Sequence, residues 1–159
     1  MKKGFINLTT ILLSSILFSC APSTEKLEIN KIDIDLTKEE IFSNYTTTLN
    51  YSVMNNKILN QEDFVFIYYS EGCHVCTNVE PHIINYIKTY KYEFFSNEFY
   101  SDVKPLISSL LNTPEDDLGV PQILFFKDGK LHYQKSGFYK SEQNYTFIKK
   151  MFNAHIKEK

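Results

Sequence analysis

The sequence predicts an α/β domain in which helices cover both faces of a central mixed β-sheet. Three observations lead there. Short runs of apolar, aromatic and β-branched residues alternate with stretches whose apolar residues recur at helical spacing. Cys73 and Cys76 stand at a junction where a strand pattern gives way to a helical one. Late in the chain, Asp128-Gly129 separates two strand patterns, which is a strong hairpin signal. Parallel βα units therefore come first, and an antiparallel pair comes last.

Residues 1–19 stand apart from this domain. Lys2 and Lys3 precede a mostly apolar stretch, residues 5–18, shorter and more interrupted than the ~20 apolar residues of a membrane span. Secretory signals have this form. Residues 20–26 read as a tether and residues 27–159 as the folded domain. In that domain Leu27, Ile29, Ile32, Ile34 and Leu36 nearly alternate, so residues 26–35 are expected to form a first strand. Thr37-Lys38-Glu39-Glu40 has the form of a capping box, so a helix is expected from about Lys38, with Ile41, Tyr45 and Leu49 on one face.

Residues 64–69 are continuously apolar and aromatic, as in a strand buried on both sides. Val79, Ile83, Tyr86, Ile87 and Tyr90 mark a helix running from the cysteines to about Tyr90. Residues 92–95 read as a short strand. Leu106, Ile107, Leu110 and Leu111 give a helix over 101–111, with Pro105 in its first turn, where a missing N–H costs little. An acidic loop, 114–119, leads into strands at 122–126 and 131–136. Tyr145, Ile148, Phe152 and Ile156 recur at helical spacing from residue 141 onward. The order is βαβαβαββα, without an internal repeat.

Composition narrows the partners. The 17 basic side chains are all lysine against 19 acidic ones, for a net charge of −2. No arginine is present to clamp phosphate, and nucleic acid is not an expected partner. The chemistry concentrates in Cys73-His74-Val75-Cys76. Two cysteines three apart, where a strand meets a helix, can close a small, reversible disulfide. The first sulfur falls at a helix N-terminus, where free N–H groups and the helix dipole favour a thiolate. Cys73 is thus the candidate nucleophile. Cys76, one turn on, is the candidate resolving thiol. His74, if protonated, would add to the stabilisation of the Cys73 thiolate.

A metal set could be assembled from Cys73, His74, Cys76 and His82, but His82 lies about two turns along the helix and no second CxxC exists. No metal is expected, and no cofactor either, since two sulfurs can hold the electrons themselves. His132 and His155 read as a strand-surface and a helix-face residue. Phe94, Phe95 and Phe99 read as core or as groove lining.

Leu17-Phe18-Ser19-Cys20 resembles the lipobox of bacterial lipoproteins, with leucine three positions before the cysteine and a small residue just before it. The resemblance implies a signal peptide cleaved before Cys20, lipid on the Cys20 sulfur, and an extracytoplasmic domain anchored to the bacterial membrane. Cys73 and Cys76 then remain as the only pair among three cysteines, with no framework of structural disulfides.

The element order with CxxC after the second strand resembles the thioredoxin fold. Pro81, five residues after Cys76, matches the proline that kinks the active-site helix in thioredoxins. Val120-Pro121 matches their cis-proline, just before the strand that opens the last hairpin. Gly129 and Gly137, eight and sixteen residues after Pro121, match the glycines of the hairpin turn and of the approach to the last helix. The resemblance covers about residues 27–156. It implies a thiol–disulfide oxidoreductase that shuttles Cys73 and Cys76 between disulfide and dithiol. The backbone of Val120, beside Pro121, would receive the substrate chain.

Partners implied are the thiols and disulfides of exported proteins and a membrane redox partner, with the protein acting as a monomer. Small thioredoxin-like proteins that accompany bacteriocin export look similar in size and plan. A binding lipoprotein in which the disulfide only stiffens the fold is the non-enzymatic alternative. Three departures stand out. Gly72 occupies the place where many thioredoxins have tryptophan, the dipeptide is His-Val, and Ile67 stands where thioredoxins bury an aspartate that helps deprotonate the second cysteine. The acceptor for the Cys76 proton is then water, Glu71 or Glu80, which the sequence does not rank.

Overall fold

The computed structural model describes residues 25–157 apart from 38 and 40. Its sheet has five strands: β1 (Thr47–Thr48), β2 (Phe64–Tyr69), β3 (Phe95–Glu98), β4 (Gln122–Lys127) and β5 (Lys130–Ser136), in the spatial order β1-β3-β2-β4-β5. β1, β3 and β2 run parallel, while β4 is antiparallel to both β2 and β5. The helices are α1 (Tyr51–Leu59), α2 (His74–Tyr90), α3 (Lys104–Leu111) and α4 (Tyr145–His155). The sheet is mixed, and helices cover both its faces, as the alternation of patterns predicts.

The period-2 geometry of a strand sorts the two cores. Val65 and Ile67 of β2, with Ile123 and Phe125 of β4, pack under α2 and α4, against Val79, Ile83, Tyr86, Ile148 and Phe152. Phe64, Phe66 and Tyr68, with Leu124 and Phe126, face the other way toward Met54 of α1 and Ile107 of α3. Opposed partners in the ladder become stacked partners in the core. Phe64 pairs with Phe126, and their rings stack 4.3 Å apart. Each such side chain, fully buried, contributes about 1.5–3 kcal/mol by area removed from water. No described helix is long and apolar enough to cross a membrane.

The hairpin turn has the backbone its residues foretell. Asp128 and Gly129 both have positive φ, at 49° and 69°, between the paired residues Lys127 and Lys130. A Cβ on Gly129 would also run into the carbonyl of Ile58, so this position requires glycine. One register shift follows, where Phe125 pairs with Tyr133 but Phe126 with Leu131. His132 is the extra residue of this bulge.

The first quarter of the domain departs from expectation. Residues 26–35 form a strap, not a strand. Leu27 makes a parallel bridge to Ile156 and Lys31 an antiparallel bridge to Tyr92. Alternate burial is real, with Leu27 and Ile29 buried, but the partners are the ends of helices and loops, so no continuous ladder forms. The helix expected from Lys38 is absent from the described residues there. Thr37 turns its hydroxyl and its N–H to the Asp35 carboxylate, at 2.6 and 3.0 Å. A single 3₁₀ turn covers Phe42–Asn44, and the β-branched Thr47–Thr48 adds an edge strand. The helix starts only at Tyr51, capped by Asn50, whose side chain accepts from Val53 N at 2.9 Å.

Smaller shifts occur later. Strand pairing at β3 begins at Phe95, three residues past the expected start, because Tyr92 and Glu93 bond to the strap instead. α3 begins at Lys104, with Pro105 in its first turn. α4 begins at Tyr145 because Asn144 caps it, accepting from Phe147 N at 3.0 Å.

The molecule has two distinct ends. At one, β2 terminates, α2 starts, and the loops before β4 and after β5 meet. At the other, β2 starts, α2 and α4 finish, and the hairpin turns.

Candidate active site

A tight turn carries the chain from the end of β2 to α2, with Cys73 N donating to Ser70 O at 3.1 Å. Cys73 is the N-cap of α2. Its Sγ accepts from the backbone N–H of Cys76 at 3.1 Å, in the role a serine or aspartate oxygen usually plays. Cys73 and Cys76 are joined as a disulfide with Cα atoms 5.2 Å apart, within the ordinary range for such a bond. The two sulfurs have unequal surroundings. Cys76 is 1% exposed, whereas Cys73 is half-buried. Gly72 has open space around its α-carbon, so nothing at that position screens Cys73.

The Val120–Pro121 peptide bond is cis, and Val120 O lies 3.6 Å from Cys73 Sγ. The loop is held from both sides. Gly137, at φ +57°, donates its N–H to Pro121 O at 3.3 Å. The buried Gln122 donates its amide to Gly119 O at 3.0 Å and accepts from Gln134 Nε2 at 3.1 Å. Sequence reasoning passed over Gln122. A glutamine opening an otherwise apolar strand was the available signal. A cavity of about 380 Å³ opens beside this loop, between Leu118, Val120, Gln122 and Gly137.

His74 is exposed at the first position of α2, with Nε2 3.4 Å from Asn78 Nδ2. Asn78 in turn donates to Gln143 Oε1 at 2.8 Å, so this side of the site is tied to the segment before α4. Pro81 sits inside α2 and removes one helical N–H.

Ile67 is buried beneath α2, so no carboxylate reaches Cys76 from the middle of β2. The nearest acid on the helix is Glu80, four residues after Cys76 and therefore on the same side, with Cβ atoms about 5–6 Å apart. Its carboxyl is pushed above the usual carboxylate range, first by burial and then by the charge of Glu71. The Tyr69 hydroxyl is pushed up as well, by burial first and then by Glu98, Glu80 and Glu71. Three carboxylates thus gather around the last residue of β2. Of the two acids named from sequence, Glu80 is half-buried on the cysteine helix and Glu71 is exposed.

The remaining candidates lie elsewhere. Phe94 and Phe95 are core, and Phe99 is half-buried against Tyr68, whose hydroxyl donates to Phe99 O. His155 stacks on Tyr133 at 4.0 Å, with His132 next to it, at the end of the molecule opposite the cysteines. Cys20 lies outside the described residues.

No protein-family model matches the sequence, and neither does any curated protein. Solved structures do match. The chain is similar to a putative oxidoreductase with a thioredoxin fold, at 13% identity and a TM-score of 0.54, covering 69% of this chain and 95% of that one. It is similar to oxidised thioredoxin O1 of Arabidopsis thaliana, at 18% identity and a TM-score of 0.53, over 70% and 98% of the two chains.

The fold is the thioredoxin fold.

Oxidised mitochondrial thioredoxin 3 of Saccharomyces cerevisiae agrees with it, at 23% identity, a TM-score of 0.50, and 70% and 97% coverage. This thioredoxin fold brings Cys73, Cys76, Val120 and Pro121 to one end of the sheet. The arrangement offers one half-buried cysteine whose sulfur is capped by a backbone N–H, one buried cysteine joined to it, and the half-buried Val120 backbone alongside. An attacking thiolate would meet Cys73 first.

Proposed function

We propose that this chain is a thiol–disulfide oxidoreductase that exchanges disulfides with exported proteins while held by lipid on Cys20 outside the bacterial cytoplasm. The observation that carries the reading is the Cys73 sulfur: bonded to Cys76, more accessible than it, and capping α2. In the oxidising direction a substrate thiolate attacks Cys73. A substrate–Cys73 bond forms, the Cys73–Cys76 bond breaks, and Cys76 leaves as a thiolate that takes up a proton. A second substrate thiolate then displaces Cys73, so the substrate loses two electrons and the protein gains them. Reduction runs the same steps backwards, with Cys76 giving up its proton before it attacks the mixed disulfide.

Glu80 is the group we assign to hold that proton. It occupies the same side of α2 as Cys76, and partial burial brings its carboxyl closer to the working range of a proton carrier. The substrate chain would lie in extended form beside Val120, adding its backbone to that edge. A membrane redox partner would reset the pair.

Replacing Cys76 with alanine strands any mixed disulfide at Cys73. The expected result is a set of complexes with exported proteins, released by reductant and absent when Cys73 is also replaced. A chain whose Cys73 is titratable but captures nothing would defeat the reading. Redox titration of the wild-type pair separates a catalytic from a structural bond, since structural disulfides lie below about −300 mV.

A further inference from the structure

We infer that the redox site faces away from the membrane, so that it acts on proteins free in the extracytoplasmic space and not on thiols at the bilayer surface. This rests on the proposed lipid anchor at Cys20 and on the proposed exchange chemistry.

The described chain enters the fold at the end opposite the cysteines. Leu27 N donates to His155 O at 2.7 Å, and Lys157 N donates to Leu27 O at 2.9 Å, so the entry is clamped against the finish of α4. Lys26 Nζ donates to Asn153 O at 2.7 Å. The next residue, Glu28, donates its N–H to Asp63 Oδ2 at 2.7 Å. Asp63 immediately precedes β2, whereas Cys73 follows the end of β2. The six residues of β2 separate the two ends by about 20 Å at the rise of a strand, before the turn to Cys73 is added.

The reach of the tether is bounded by its length alone. Seven residue steps join Cys20 to Leu27, so the chain between them spans at most about 25 Å, whatever conformation it takes. A flexible chain of that length has a typical end-to-end distance nearer 15 Å. Pointing the cysteine end straight down at the lipid would mean inverting the domain, which lifts Leu27 at least about 20 Å above the surface and draws the tether almost taut. Of the two upright poses, a relaxed tether selects the one with the Leu27 end against the membrane and the cysteines outermost. The site then meets soluble chains freely. A membrane partner reaches it only with a domain that rises from the bilayer.

The test uses the full, lipidated, oxidised chain in phospholipid vesicles. Two probes are offered: a reduced, unfolded protein in solution, and a phospholipid whose headgroup ends in a thiol. In either case the probe sulfur bonds to Cys73 as the Cys73–Cys76 bond breaks, and the Cys76 thiol that appears is counted. The soluble probe should react within about twofold of its rate with the unanchored Cys20→Ser chain, because the site is unobstructed. The thiol lipid should react at least about tenfold more slowly than it does with a chain carrying a flexible insert of about 30 residues between Thr24 and Glu25, which frees the domain to turn. Equal rates with the thiol lipid for the natural and lengthened tethers overturn the orientation while leaving anchor and chemistry intact. A chain that stays in water during detergent phase partitioning overturns the anchor, and the orientation with it. An anchored chain inert to both probes overturns the exchange chemistry.

Discussion

Replacing the oxygen of an N-cap by a sulfur has a chemical consequence. In the disulfide, Cys73 Sγ already accepts the Cys76 N–H at 3.1 Å. When Cys73 is displaced from a mixed disulfide, the same N–H meets a thiolate, and a charge-assisted hydrogen bond is about twice as strong as a neutral one. The leaving and returning sulfur is therefore stabilised without any movement of the helix start. The buried partner lacks such help. Cys76 is 1% exposed, with Ile67 beneath its helix, and depends on a neighbour to carry its proton. Glu80→Gln tests that assignment. The variant should slow resolution several-fold, so that the mixed disulfide at Cys73 persists, and it should remove the rise in rate expected as pH climbs through the raised Glu80 pKa. Stability should move the opposite way. A raised carboxyl pKa gives the fold an advantage below the ordinary carboxylate pKa of about 4.3, and that advantage is lost as pH rises through the folded value. At neutral pH the ionised group is therefore a burden, and Glu80→Gln should unfold at slightly higher denaturant. A variant that is merely destabilised, with an unchanged pH profile, would remove Glu80 from the mechanism.

At the scale of elements, α4 is fastened to the sheet by rings. Phe152 sits 4.7 Å from Tyr86, 4.8 Å from Phe94 and 5.6 Å from Phe125. His155 continues the contact onto β5, stacked on Tyr133 at 4.0 Å and facing Phe125 at 5.0 Å. Its pKa is held below the ordinary histidine value by burial, with the charges of His132 and Lys26 adding to the effect. The end of α4 would favour the cation through the helix dipole, and burial overrides it. The sign follows. The unfolded chain binds this proton more readily than the folded one, so the contribution of His155 is fully present above about pH 6.5 and is lost as pH falls from there through the depressed folded pKa. Denaturant titrations over that window should show falling stability, and His155→Phe, which keeps the stacking and cannot titrate, should flatten the fall. An unchanged pH dependence in His155→Phe would assign it to other groups. The central elements from β2 to α4 were legible because their apolar period names one partner surface each. The strap and α1 were not. Leu27 and Ile29 alternate in burial as a strand would, but what they cover are the end of α4 and the loop after α2, more than 60 residues away. Thr37 opens a capping-box pattern, yet its hydroxyl donates to Asp35 and the first described α-helix starts only at Tyr51. In the site, the cysteines could be read from spacing and Val120-Pro121 from the resemblance to thioredoxins, while the burial of Glu80 and the bracing by Gln122 depend on contacts that neither reveals.

The whole molecule divides its labour between two ends joined by β2. The cysteine end keeps a half-buried Cys73 and an open cavity. The opposite end is closed by one carboxylate. Asp63 accepts from Glu28 N at 2.7 Å, from Asp128 N at 2.8 Å and from Lys127 Nζ at 3.1 Å, with its own side chain only 10% exposed. It thereby ties the entering strap, the start of β2 and the hairpin turn into one joint. The Lys127 ammonium is held above its ordinary pKa chiefly by this hydrogen bond. Removing the acceptor leaves two backbone N–H groups without it and an ammonium, 16% exposed, without its main partner. Hydrogen bonds to a charged group contribute about 1.5–3 kcal/mol each, less whatever water recovers at the surface. Asp63→Ala should therefore lower stability by about 2–3 kcal/mol, with Asp63→Asn falling between. The loss should be localised: amide hydrogen exchange at Leu27 and Lys157 should speed up more than at Ile67 or Phe125. The rate of mixed-disulfide formation at Cys73 should stay at the wild-type value, because nothing in the joint touches the sulfur or its cap. If that rate instead falls in step with the loosening at Leu27, the two ends communicate through β2, and entry of the strap would be part of the active-site architecture.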